Sequence, residues 1–395
     1  MYSLNLELKS TIVYEIEHVF GRRVVSSRDC IELCEEIFQK TKHQLNPNTL
    51  RRFFSLVKAE YPPSQSTLTI LSKYCGFQSI DDIYRIKNTE TFETGNLSPD
   101  TVLHFFVSLF SDTVVKDGDD QTFLTIVMHS IKFLNANKFL TDRFQSLIAR
   151  TELGKKYYFE SLVNIDKLNS FYGNGLRYYN KEASSNEASV LTTSLYVLKY
   201  WLSNEPDKVA KSMNERVLNN IDYNLPPHIL ARQLAAILFY NDFEGKDNEA
   251  HRLKIHDIYV ELTNRDDCNL FIYGFSYIIS EALFLTGYAG DALLYIEECK
   301  KLEKKILRKR TPLNYEHQYW LIEAYALYNF GEQKKAIILF DKIKSSEFPF
   351  LSRRFSGILY LSLMKKIKPK DRSEKYEEQR LSLIKETGFK KLSEF

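Results

Sequence analysis

Residues 320–340 read WLIEAYALYNFGEQKKAIILF, and this stretch decides the fold class. Two runs with apolar residues at three- and four-residue spacing meet at Gly331, the pattern of two helices joined by a glycine turn. Trp320, Ala324, Gly331, Ala336 and Phe340 fall in the order bulky, small, turn glycine, small, aromatic. Small residues let paired helices approach, and bulky ones fill the groove between them. Forty-four residues upstream, Ser276, Ser280, Gly287, Ala292 and Ile296 repeat much of that order, with serines replacing the tryptophan and the first alanine.

The helical reading extends outward from there. A chain of 395 residues, 44% apolar and 27% charged, has the composition of a globular protein with more than one packed unit, and 14 Gly with 10 Pro leave few strand turns. Breakers at 117–120, 173–175, 226–227 and Gly245 separate segments of ordinary helix length, although the bulky–small order is not visible upstream of Leu270. Residues 270–289 are about as long as a membrane span, but Gly274, Ser276, Ser280 and Glu281 interrupt them. They read as a buried core helix, so no membrane partner is expected. The opening MYSLNLELKSTIVYEIEHVF lacks the basic head and continuous apolar core of a signal peptide. Five cysteines, at 30, 34, 75, 268 and 299, form no CxxC pair and suit reduced, buried thiols. The expected location is cytoplasmic. A net charge of +3 is too small to announce nucleic-acid binding by bulk electrostatics, so such a function must rest on a local patch.

The first 90 or so residues hold signals for five helices. Ile12, Val13, Ile16, Val19 and Phe20 line one, ended by Gly21; Ser27 is placed to cap the next, with Cys30, Cys34, Ile37 and Phe38 on its apolar side. Asn46 followed by Pro47 starts a third, since proline lacks only an amide that would be unpaired anyway. A fourth begins near Ser66 and stops at Gly76, and a short fifth covers 79–83. Taking 100° per residue, Leu50, Phe53, Phe54 and Val57 form an apolar stripe on the third helix, and Asn48, Arg51, Arg52 and Ser55 form its back. Arginine can bridge O6 and N7 of guanine, asparagine can do the same for adenine, and Ser55 or Thr49 suits a phosphate or base edge. Lys40, Lys42, Arg51, Arg52 and Lys58 fall between 40 and 58 with no acidic residue among them. The candidate DNA-binding set is therefore Asn48, Thr49, Arg51, Arg52, Ser55, Lys42 and Lys58. An ordinary solvated helix face looks the same.

Residues 28–83 resemble the Cro and CI repressor type of helix-turn-helix over about one seventh of the chain. Pro63, Ser64, Thr67, Leu68, Leu71, Ser72, Cys75, Gly76, Ile80, Asp81, Asp82 and Ile83 carry the similarity, with Gln78 as one extra residue. Ser27, Arg28, Asp29, Leu45, Asn46, Asn48, Thr49, Leu50, Arg51, Arg52, Thr67, Leu68 and Leu71 also resemble a module at the N-termini of many bacterial proteins. The segment 40–45 departs from the family: it is longer than the usual corner and lacks the family's alanine and glycine. Downstream, the paired pattern resembles tetratricopeptide repeats.

Several features weigh the other way. Cys30, Cys34, His43 and Cys75 lack zinc-finger spacing, and the run Asp117, Asp119 and Asp120 lacks a calcium loop's terminal glutamate, so neither metal nor cofactor is expected. No phosphate-binding glycine loop, HExxH pair or nucleophile elbow occurs, so the chain is not expected to be an enzyme. Basic residues at 300–310 and 365–370 read first as solvated helix faces. Tyrosines at helical spacing, including Tyr315, Tyr319, Tyr325 and Tyr328, read first as packing.

The expectation is an all-α protein: a small five-helix helix-turn-helix domain at 1–88, a linker at 89–99, and a tetratricopeptide-like α-solenoid at 100–395. That domain order resembles peptide-sensing regulators of the Rgg and PlcR type. The resemblance implies double-stranded DNA as partner of the head, a peptide or protein in the C-terminal array, and a homodimer reading paired half-sites. The competing expectation is a non-enzymatic interaction scaffold whose N-terminal module binds protein or RNA.

Overall fold

The computed structural model describes residues 6–20, 22–57, 63–77, 99–115, 121–213, 217–218, 220–264, 269–306, 315–368 and 373–395, which are helical with short connections and contain no strand. The chain divides into two units, residues 1–98 and 99–395. Residues 89–98 of the expected 89–99 linker, the helix at 79–83, Gly21 and the acidic run at 117–120 lie outside the described residues, and Pro99 opens a helix.

The first unit contains α1 (Leu6–Phe20), α2 (Ser27–Thr41), α3 (Pro47–Phe53) and α4 (Gln65–Tyr74). The cap of α2 is Ser26 rather than the expected Ser27: its hydroxyl accepts from the Asp29 amide at 3.2 Å while the Asp29 carboxylate accepts from the Ser26 amide at 2.8 Å. Asn46 starts α3 by accepting from the Asn48 amide at 2.8 Å, with Pro47 in the first helical position. Ser64 caps α4 through the Thr67 amide. α2 packs against α3 and α4, and α1 against α4, around Ile12, Leu33, Ile37, Leu50, Phe53 and Leu71.

The second unit opens with α5 (Pro99–Ser111), α6 (Gln121–Ala136), α7 (Lys138–Ile148), a π-helical segment at Gly154–Ser161, a 3-10 turn at Ile165–Lys167 and α8 (Phe171–Ala183). Paired helices follow: α9 (Asn186–Leu202) with α10 (Pro206–Ser212), α11 (Pro227–Glu244) with α12 (Glu249–Thr263), and α13 (Asn269–Leu285) with α14 (Ala289–Ile306). Then come α15 (Glu316–Asn329) with α16 (Gln333–Phe340), and α17 (Arg353–Ile367) with α18 (Ser373–Thr387). The first members, α9, α11, α13, α15 and α17, pack each on the next.

Two of these turns are superimposable in their bonding. The Tyr288 amide donates to Leu283 O at 2.8 Å and Gly287 to Phe284 O at 3.1 Å; the Glu332 amide donates to Leu327 O at 2.8 Å and Gly331 to Tyr328 O at 3.2 Å. Gly287 and Gly331 have φ of 90° and 96°, where a side chain is strained. Between α9 and α10, Glu205 donates to Tyr200 O and Asn204 to Trp201 O in the same way, with Asn204 at φ 58° in the glycine's place. Asparagine tolerates that conformation, so the turn forms without the letter that marks it in sequence. Ala292, Ala324 and Ala336 are fully buried where the paired helices approach.

The end of this unit returns to its beginning. Asp166, 5% exposed, accepts from the backbone amides of Arg354 at 2.8 Å and Phe355 at 2.9 Å, capping the first turn of α17, and its own amide donates to Leu351 O at 3.1 Å. Asn169 donates to Thr387 O at 2.9 Å. Residues 390–394 pack on α9, Lys391 lies over the ring of Phe243 at 5.2 Å, and Phe395 meets Phe284 and Tyr325 edge-on. α11, packed between α9 and α13 and touching α10 and α12, is buried on nearly every side.

Asp166→Ala is expected to destabilise the second unit by about 2 kcal/mol or more, because two helix-terminal amides lose a charged acceptor. Denaturant unfolding of the variant beside wild type measures this. Gly331→Ala is expected to cost about 1 kcal/mol from the backbone alone, since an added Cβ meets nothing within 4 Å. Asn204→Gly should be near neutral in the same melt.

Candidate functional site

α3 holds the residues expected to read DNA. Leu50 and Phe53 are buried beneath it, and Asn48 and Arg52 are exposed on its outer side. Thr49 is partly covered. Arg51 is also partly covered: its Nη1 donates to Asn48 Oδ1 at 3.0 Å, and its enclosed Nε makes no hydrogen bond among the described residues. Lys42 is exposed at the left-handed end of α2, where its amide donates to Phe38 O at 2.9 Å.

The helix is shorter than its apolar stripe suggests. It ends at Phe53; Phe54 is partly covered against Phe53, and Val57 is 49% exposed. Ser55 lies past the helix with φ of 60°, and its hydroxyl accepts from Lys9 Nζ at 2.7 Å. It is therefore not on the back of α3 with Asn48, Arg51 and Arg52. The helical-wheel reading placed it there by assuming a helix that continued through 57. Lys58 lies outside the described residues.

Ion pairs sort the remaining basic residues. Arg22 pairs with Asp29 and Glu32, Arg28 with Glu32, and Lys40 with Glu36. Lys42 and Arg52 have no acidic partner among the described residues. Burial pushes the nearby thiols up, Cys34 to about 11 and Cys75 to about 12. Among the described residues no group of three His, Cys, Asp or Glu side chains is placed to hold a metal ion.

In the second unit four lysines of the two basic stretches are paired. Lys300 meets Glu297 and Glu323, Lys301 meets Glu298, Lys365 meets Glu377 and Lys368 meets Asp341. Tyr325 is fully buried and Tyr319 nearly so.

The interior instead contains a polar chain that crosses four helices. Ser352, beside the start of α17, donates to Gln318 Oε1 on α15 at 2.8 Å; Gln318 Nε2 donates to the Tyr277 hydroxyl on α13 at 2.5 Å; and Tyr277 donates to Glu281 Oε2 at 2.8 Å. The other Glu281 oxygen stands 3.9 Å from Arg232 Nη1 on α11. Gln318, Glu281 and Arg232 are 1%, 2% and 9% exposed. Burial raises the Glu281 carboxyl above its ordinary range, with Arg232 and the Tyr277 hydroxyl opposing. One turn before Arg232, burial pushes His228 down to about 4. No linear motif brings these residues together. The available hint was Glu281, a charged residue within the most apolar run of the chain.

No protein-family model, curated protein or solved structure matches this chain. Among the described residues no helix is long and apolar enough to cross a membrane.

His228 sets an acid limit on stability. Its folded value lies below the ordinary 6.5, so the unfolded chain takes up the proton first and stability falls as pH drops from about 6.5 to about 4. Unfolding free energies measured across that window should decline less for His228→Asn than for wild type.

Proposed function

We propose that the chain is a DNA-binding regulator, with residues 1–98 as a helix-turn-helix-type head and the helix pairs of residues 99–395 as a tetratricopeptide-like array that binds a peptide or protein effector. The observation that carries this reading is the capped start of α3. In helix-turn-helix docking, the N-terminal residues of the second helix contact base edges, so a seven-residue helix is long enough. Asn48 and Arg52 stand exposed in its opening turns, Arg51 is held against Asn48, and Lys42 lies just before it without an acidic partner among the described residues. Asparagine matches the adenine edge and arginine the guanine edge, while Lys42 and Thr49 suit phosphate. A single short head buries little duplex, which favours two copies on paired half-sites.

The structure changes the choice of test residues, because Arg51 is partly enclosed. Asn48→Ala with Arg52→Ala is expected to weaken binding to a selected duplex by about 10- to 100-fold or more, with stability within about 0.5 kcal/mol of wild type. Lys42→Ala should weaken all sequences alike and lower the salt dependence by about one phosphate contact. Fluorescence anisotropy with duplexes selected from a random pool by the full chain measures both. Recovery of no duplex sequence, or equal affinity of the double variant, overturns the regulator reading and leaves the scaffold.

A further inference from the structure

The polar chain inside the second unit ends on a cation that the protein leaves under-bonded. Arg232 makes no hydrogen bond among the described residues: Nε is enclosed without an acceptor, and the Glu281 oxygen at 3.9 Å from Nη1 is beyond hydrogen-bond reach. A guanidinium cannot shed its proton, so burying its donors without acceptors is costly. Glu281 is a weak counter-ion, because one of its oxygens is committed to Tyr277 and the other stands 3.9 Å from Nη1.

The space beside it is accessible. Tyr277 and Tyr315, whose rings lie 6.0 Å apart, and His228 on α11 each retain part of their surface, although the protein around them desolvates both phenols and the imidazole.

We infer that the unsatisfied end of this polar chain is a binding site for a carboxylate, with Arg232 as its anchor and Tyr277, Tyr315 and Gln318 beside it. A carboxylate presents two coplanar acceptors that match the guanidinium fork. A phosphate dianion fits less well, with the Glu281 carboxylate so close. The carboxylate can belong to a peptide or to a small free acid; the chemistry of recognition is shared. The inference rests on reading the second unit as the effector-binding part, and the head's contact with DNA does not enter it.

The test is calorimetric titration of the full chain with two probe sets. One is acetate, succinate and benzoate; the other is a mixture of short peptides with free carboxyl ends. Each is run beside its amide counterpart. At least one carboxylate set should bind about tenfold or more tighter than its amides. Glu281→Gln keeps the guanidinium and removes the competing carboxylate, so it should tighten that binding by about tenfold, whereas Arg232→Met should abolish it. Binding of the small acids alone assigns the site to a free acid, and binding of the peptides alone assigns it to a peptide end; either supports the site. The inference is overturned if neither set is preferred over its amides by wild type or Glu281→Gln, or if Arg232→Met binds like wild type. Should Arg232→Met fail to fold, the Glu281→Gln comparison decides. Loss of this site with duplex binding intact leaves the head's assignment standing, and the reverse holds equally.

Discussion

The second unit depends on Asp166. This one buried carboxylate caps the first turn of α17 across 188 positions of sequence, and the segment behind it ties the start of the helix pairs to their end. An α-solenoid built only from neighbouring contacts leaves its inner surface open. Here the last residues also reach the inner helices, Lys391 over Phe243 of α11 and Phe395 against Phe284 of α13. α11 and α13 otherwise pack on each other, α11 also on α9 and α13 also on α14 and α15. Their apolar residues run nearly all the way round, as suits a helix with neighbours on every side.

Enclosure raises the cost of every polar group left inside. The chain from Ser352 through Gln318 and Tyr277 to Glu281 satisfies its members in order, crossing from the start of α17 to α15 and α13 and ending one turn along α13. It stops short at Arg232. A buried ion pair that is not hydrogen-bonded contributes little against the desolvation of its two charges, and replacing it by apolar side chains would often be neutral or better. Its presence beside accessible tyrosines is better explained by recognition than by folding stability. The same enclosure depresses the basicity of His228.

The first unit is organised differently, around a small core formed by α1 to α4. Its capping residues carry much of the definition. Ser26 with Asp29, Asn46 with Pro47, and Ser64 fix where three helices begin. The direction in which α3 presents Asn48 and Arg52 follows from its first turn rather than its length. Arg51 serves this arrangement from beneath: its guanidinium holds the Asn48 side chain, and its charge draws the Cys30 thiol down against the larger effect of burial.

Much of the fold was legible in the order of residues. Spacing of apolar positions gave helices throughout, and the glycines at 287 and 331 with alanines five residues later gave two hairpins, because a left-handed turn and a close helix contact each demand a particular residue type. The Asn204 turn escaped that reading, since asparagine reaches the same conformation without being diagnostic of it. Among the candidate DNA-binding residues, Asn48 and Arg52 are exposed on the helix whose cap announced it, whereas Ser55 lies elsewhere because α3 ends at Phe53, where no glycine or proline signals a stop. What sequence alone determined was local: helix starts, turn glycines and the apolar period are properties of neighbouring residues. Tertiary structure decided the closure through Asp166 and the meeting of Arg232, Glu281, Tyr277 and Gln318, because those contacts join positions separated by tens to hundreds of residues and depend on the angles at which whole helices pack.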